Sequence, residues 1–138
     1  MAEKIREVMS TKVVTLDATA SPTEAARAMR ENDIGALVVE RDDRVCGILT
    51  DRDLVVRCLA DEDGLDQEVG DLCSEELTSV APDADVGEAI RLMSDRAIRR
   101  IPVVENGHAV GIVSIGDLAQ ARDPESALGQ ISAAPPNR

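Results

Sequence analysis

Apolar and polar positions along this chain follow two spacings in turn, and the order of those spacings recurs. A helical turn is predicted over residues 3–9, leading into Val13-Val14-Thr15-Leu16, a brief strand. Ser21-Pro22-Thr23-Glu24 then stacks three helix-start signals: a hydroxyl N-cap, Pro at the first helical position, and Glu three residues after the cap. Ala25, Ala28 and Met29 share one face of that helix, which should end near Asn32-Asp33. Residues 36–40 and 45–49 read as strands joined by the polar Arg41-Asp42-Asp43-Arg44, a hairpin. A second helix starts at Thr50 and reaches about Leu59, with Leu54, Val55, Cys58 and Leu59 at helical spacing. The predicted unit is β-α-β-β-α.

Residues 60–70 carry Asp61, Glu62, Asp63, Asp66 and Glu68 around Gly64, as an exposed linker would. The pattern then restarts. Asp85-Val86-Gly87-Glu88 stands where the first capping signal stood, and Val86, Ala89, Ile90 and Met93 follow the i, i+3, i+4, i+7 spacing of an apolar helix face. Asn106-Gly107 is a two-residue hairpin turn between strands at 101–105 and 109–113. Beyond Arg122 a short helix and a frayed tail are expected. The predicted organisation is repeat one at 1–60, an acidic linker at 61–70, repeat two at 71–122 and a C-terminal tail at 123–138.

The two halves are in register. Gly47-Ile48-Leu49-Thr50-Asp51-Arg52-Asp53-Leu54 returns as Gly111-Ile112-Val113-Ser114-Ile115-Gly116-Asp117-Leu118, and the step from 47 to 111 is 64 residues. The same step carries Glu24-Ala25 onto Glu88-Ala89, Met29 onto Met93, Ile34 onto Ile98 and Val39 onto Val103. A fixed period marks one supersecondary unit used twice, and about 60 residues is marginal for folding alone, so the two copies should pack on each other.

Composition narrows the function. Phe, Tyr and Trp are all absent, so the core must be aliphatic, and a bound base would be held without aromatic stacking. Against 27 acidic residues stand 15 basic ones, a net charge of -12, which argues against nucleic acid or an anionic membrane as the main partner. Cys46, Cys58 and Cys73 form no CxxC pair, so a reducing interior is the default; the charged start and the lack of any long apolar run predict a soluble cytoplasmic protein.

The repeated motif admits two chemical readings. Thr50-x-x-Asp53 and Ser114-x-x-Asp117 are capping boxes, and capping alone accounts for the residue types. The same geometry also leaves N–H groups and the positive end of a helix dipole facing outward, a ready site for phosphate, with an Asp one turn in to accept ribose hydroxyls. Arg96, Arg99 and Arg100 read equally well as phosphate contacts or as a solvated strand edge among the many carboxylates. His108 lies in a turn, where it makes a poor general base. Cys46 and Cys58 read as small core residues; no metal site and no catalytic triad is predicted, and the chain is not expected to be an enzyme.

The doubled unit, with Gly-Ile-Leu-Thr-x-x-Asp at 47–53 and Gly-Ile-Val-Ser-x-x-Asp at 111–117, resembles tandem CBS domains, the pair called a Bateman module. Ala-Pro-Asp-Ala at 81–84, Arg-Arg-Ile-Pro-Val-Val at 99–104 and Asp33-Ile34-Gly35-Ala36-Leu37 share that resemblance, and the chain is similar to stand-alone CBS pairs such as the hypoxic response proteins. The resemblance implies an α/β (α+β) fold of two pseudo-symmetric repeats packed through their sheets. It also implies adenosine-containing ligands such as AMP, ADP or ATP in two clefts, with S-adenosylmethionine and NADH as further candidates. Carried over by resemblance, the preferred cleft joins Asp117, Ser114, Ile112, Arg99 and Arg100 with Val14, Ile34 and Ala36. The second joins Asp53, Thr50, Ile48, Thr78 and Ile98. The second should welcome a polyphosphate less, because Gly35-Ala36 stands where Arg99-Arg100 does and Asp51 adds negative charge, which Arg52 offsets in part. The implied role is regulatory: an energy-sensing homodimer that binds a nucleotide and acts on another protein in trans. The alternative is a ligand-free structural or interaction homodimer, and a third reading is a redox or metal sensor through the cysteines.

Overall fold

The computed structural model describes residues 4–73 and 77–134. Its elements gather into two units, each with its own aliphatic core.

The first-repeat unit comprises the described residues of Val13–Leu77 with Asn106–Ala109. Here β1 (Thr15–Asp17) runs parallel to β2 (Ala36–Arg41), and β2 turns back into the antiparallel β3 (Arg44–Thr50), giving the order β1-β2-β3. Two residues make that turn: Asp42 and Asp43 sit at φ 53° and 66°, in the left-handed region that short polar side chains tolerate. Between β1 and β2 lies α2 (Pro22–Asn32), whose Ser21 cap accepts from the Glu24 N–H at 3.1 Å and whose end is closed by Asp33 at φ 55°. Ala25 and Met29 of α2 are buried in one cluster with Leu37, Val39 and Leu49 of the sheet.

The helix expected over 50–59 forms, but its winding changes. One α-helical turn, α3 (Asp51–Asp53), passes into a π-helix, Leu54–Leu59. The looser i→i+5 winding shifts the phase of the apolar stripe. Cys58 is buried, whereas Val55 and Leu59 are 56% and 70% exposed, so the four apolar positions do not share a face.

The stretch expected as an exposed linker is also structured. Its acidic side chains are exposed, but Gly64–Asp66 form a 3-10 turn and α4 (Val69–Leu72) buries Val69 and Leu72. Gly64 lies so close to the Cys58 carbonyl that a Cβ there would overlap it.

The second-repeat unit takes the described residues of Met1–Lys12, Thr78–Glu105 and Val110–Arg138. It begins with α1 (Ile5–Val8); then α5 (Val86–Arg96) leads into β4 (Arg100–Glu105), which pairs with β5 (His108–Ser114) through the predicted turn, Asn106 at φ 55° and Gly107 at φ 84°. A single parallel bridge, Val80 with Val103, stands where β1 runs in the other repeat. Then come α6 (Ile115–Arg122) and α7 (Ala127–Ala133), the latter capped by Ser126. The core is Ile5, Val80, Val86, Ala89, Met93, Ile101, Val103, Val113 and Leu118. The frayed tail expected at the C-terminus falls on residues 135–138, outside the described residues.

Each short helix closes the unit built by the other repeat. The Val69 and Gly70 N–H groups donate to the carbonyls of Ala20 and Ala18, both at 2.9 Å. At the step of 64, Ile5 and Arg6 donate to Ala84 and Pro82, again at 2.9 Å. Among the described residues no helix is long and apolar enough to cross a membrane.

Candidate functional site

In the second-repeat unit, β5 runs out at Ser114 and the chain turns directly into α6. The Ser114 hydroxyl accepts from the Asp117 N–H at 3.2 Å, and the Asp117 carboxylate accepts from the Ser114 N–H at 2.9 Å through Oδ2. This capping box leaves Oδ1 of Asp117 outside it, and among the described residues Asp117 makes no ion pair. The Ile115 N–H donates to the Arg99 carbonyl at 2.9 Å, which fixes Arg99 beside the helix start; Arg99 and Arg100 are both exposed. Ile112 is held from the other side, its N–H and C=O both paired with Ser10 at 2.9 Å. Ser114, Asp117, Ile112, Arg99 and Arg100 thus belong to one unit, with Ser114, Asp117 and Arg99 at a single helix start.

The first-repeat unit repeats the arrangement around Thr50, whose hydroxyl accepts from the Asp53 N–H at 3.1 Å while Asp53 Oδ2 accepts from the Thr50 N–H at 2.9 Å. The Asp51 N–H donates to the Gly35 carbonyl at 2.9 Å, so a glycine occupies the place of Arg99. Ala36 pairs with Thr50 and Val38 with Ile48, and the Val38 N–H donates to the Val14 carbonyl. Val14 and Ile34 pack on this unit's core. Val14, Ile34 and Ala36 therefore lie in a different unit from Asp117, and Thr78 and Ile98 in a different unit from Asp53. Ile98 packs on the second-repeat core, and the Thr78 hydroxyl accepts from Arg96 at 2.6 Å.

Sequence reasoning overlooked Arg57. Its Nε lies 3.8 Å from the outer oxygen of Asp53, while its Nη1 donates to the Leu72 carbonyl at 3.2 Å. Asp53 and Arg57 are an i, i+4 pair with the acid first, a favourable helical arrangement that was legible. At the corresponding position of the second repeat stands Ala121. The two helix starts thus share a capping box and differ in what faces the remaining carboxylate oxygen.

A second feature missed from sequence is a cavity of about 530 Å³ between α5, α6 and α7. Its walls are mostly apolar, from Ile90, Met93, Ile98, Leu118 and Leu128, with Arg99 and Arg122 among them. Three helices make it, and the seat of α7 on α6 had no sequence signal beyond the absence of a side chain at Gly116. A Cβ at Gly116 would meet the Ser132 hydroxyl oxygen. Among the described residues, no three His, Cys, Asp or Glu side chains come together as metal ligands.

The pattern of the CBS domain matches residues 5–59 and again residues 69–123. The CBS domain-containing protein YhcV of Bacillus subtilis is 36% identical over 115 residues, covering 83% of this chain and 82% of the relative. Hypoxic response protein 1 of Mycobacterium tuberculosis is 38% identical over 130 residues, covering 91% and 89%. Among solved structures, hypoxic response protein I with two coordinated zinc ions superposes with a TM-score of 0.77 at 36% identity, covering 88% of this chain and 99% of that one. A hexameric CBS-CP12 protein from bloom-forming cyanobacteria gives 0.77 at 29% identity, covering 90% and 74%. The chain belongs to the CBS-domain family, as a mixed α+β pair of CBS domains of the kind that is commonly regulatory and ligand-binding rather than catalytic.

Proposed function

We propose that this CBS pair is a regulatory module that binds an adenine nucleotide, AMP, ADP or ATP, with its preferred site at the start of α6. One observation carries the reading: Arg99 is fixed by its own backbone beside a capped helix start whose Asp117 keeps a carboxylate oxygen outside the box. In this assignment the helix start and Arg99, with Arg100 on the next residue, meet the phosphate, and Asp117 accepts the ribose hydroxyls. At Thr50 the ligand would have to displace Arg57 from Asp53 and would find glycine in place of Arg99, so occupancy there is weaker. The exposed Val55, Val56 and Leu59 support association with a second copy, through which binding would change shape and hence affinity for a protein regulated in trans.

The test is calorimetric unfolding with and without AMP, ADP, ATP, S-adenosylmethionine and NADH, because the chain has no Trp or Tyr to report by fluorescence. A ligand at 100 times its dissociation constant adds about 2.7 kcal/mol, which raises the melting temperature by several degrees. A rise with an adenine nucleotide is expected; no rise with any of the five ligands would overturn the proposal.

A further inference from the structure

The chain carries 27 acidic residues against 15 basic ones, yet no acidic side chain lines the cavity between α5, α6 and α7. Met93 and Leu118 form its buried wall, and Ile90, Ile115 and Leu128, which are 37%, 44% and 42% exposed, form its rim. Its volume of about 530 Å³ falls within the roughly 300–1,000 Å³ of small-molecule sites. All of its lining residues belong to the second-repeat unit, and neither Ser114 nor Asp117 is among them.

The charge at this cavity is positive and unpaired. Arg122, the last residue of α6, lines it and reaches across to α5. A Cβ at Gly87, in the first turn of α5, would lie 3.6 Å from a terminal nitrogen of Arg122 and 3.6 Å from one of Arg91. Two guanidiniums thus approach the same point, and among the described residues neither makes an ion pair or a side-chain hydrogen bond. Like charges this close repel unless an anion joins them. Packing of the repeat does not call for the cation: one step of 64 residues back, Cys58 stands in the place of Arg122 and is buried in the core.

We propose that this cavity binds a medium-chain fatty carboxylate, with its alkyl chain along α5 and α6 beside α7 and its carboxylate on Arg122. Both parts of such a ligand meet their complement. The alkyl chain removes Ile90, Ile115 and Leu128 from water, and the guanidinium fork offers a carboxylate two parallel N–H donors, with Arg91 beside it. The eight residues of α6 span about 12 Å, which an extended alkyl chain of about ten carbons matches.

A sugar or a base suits the same walls poorly. Apart from the two arginines, Arg99 and Arg122, the one polar side chain among the lining residues is Ser94, so hydroxyl and amide groups would lose their water there without gaining partners. The site is therefore separate in chemistry from the capped helix start, although Arg99 stands near both.

The experiment titrates the full chain with sodium decanoate below its micellar concentration, by isothermal calorimetry and by carbon–proton NMR of the Ile, Leu and Met methyl groups. Saturable binding of a single decanoate per chain is expected, with shifts concentrated at Ile90, Met93, Leu118 and Leu128. Arg122→Gln should weaken binding about tenfold or more, the loss of a hydrogen bond to a charged group, and leave the melting temperature of the ligand-free chain unchanged. Ala119→Phe, which fills the cavity from α6, should abolish binding in a chain whose circular dichroism is unaltered. No saturable heat, shifts confined to methyl groups elsewhere, a decanoate affinity that Arg122→Gln leaves as it was, or a dimer in which these methyl groups are already covered and decanoate does not enter would each overturn the proposal.

Discussion

The helix starts at Thr50 and Ser114 are built by the same four residues' worth of geometry, yet they leave different chemistry in reach. Both carry a reciprocal capping box, and both are tied by a backbone hydrogen bond to the residue that precedes the hairpin. At Ser114 that residue is Arg99 and no cation pairs with Asp117 among the described residues; at Thr50 it is Gly35, and Arg57 sits on Asp53. The fold conserves the scaffold because capping and packing demand it. What side chains do at the rim is left to vary, and that is where one repeat can become a site and the other a brace.

The equality of the scaffold is open to the strongest test. Met29→Ala and Met93→Ala each empty the same buried place in their own core, and each should cost about 2–5 kcal/mol in urea unfolding followed by circular dichroism. A large cost at one and a negligible cost at the other would show that the units do not carry stability alike.

Next comes alkaline pH, where only the first-repeat unit has a buried thiol at the end of its closing helix. The folded Cys73 thiol is raised from 9.0 to about 12, so the folded chain keeps a proton that the unfolded chain gives up. The stability it contributes is whole below pH 9.0 and falls away as pH climbs toward about 12. Under reducing conditions Cys73→Val should flatten that fall in melting temperature, whereas Met9→Leu should leave it as it is.

Smaller effects separate the two helix starts. Asp53→Ala and Asp117→Ala each break a capping box and should cost about 1 kcal/mol. Only the second should abolish the rise in melting temperature with nucleotide, read in the same calorimeter. Arg57→Ala should cost at most about 1 kcal/mol, since it removes both an i, i+4 pair to the partly buried Asp53 and the hydrogen bond to the Leu72 carbonyl. Combined with Ala121→Arg, which places a cation at the same i, i+4 spacing from Asp117, it should move binding toward the Thr50 site. Unchanged ligand affinity in that double variant would show that the ion pair does not set the preference.

The repeat itself was legible because many boundaries carry local chemistry that acts over a few residues: Ser21 before Pro22, Asn106-Gly107 between strands, Thr50 and Ser114 before their helices; Asp85 is an exception, its carboxylate pairing with Lys4 and capping no helix N–H. Features that rest on long-range contacts were not. Nothing in Leu54-Val55-Val56-Arg57-Cys58-Leu59 announces a π-helix, because the winding answers to packing and not to propensity. The acidic residues around Gly64 signalled solvent correctly, while Val69 and Leu72, just after Glu68, were drawn into the core. At the candidate site the capping geometry was readable to the residue. The role of Arg57 needed only the i, i+4 rule applied to Asp53, whereas the cavity beside α6 depends on where α7 comes to rest.

The exchange of short helices also fixes an order of events in synthesis. A chain emerging from its amino end can complete most of the first-repeat unit once Leu72 is available, because α4 comes after the strands that it closes, with only α3, the π-helix and the 3-10 turn between. The segment around Ile5 has no such luck: its carbonyl partners are Pro82 and Ala84, and Ser10 waits for Ile112. The segment around Ile5 is therefore made well before its partners, and until they emerge Ile5 stays without the core that will bury it.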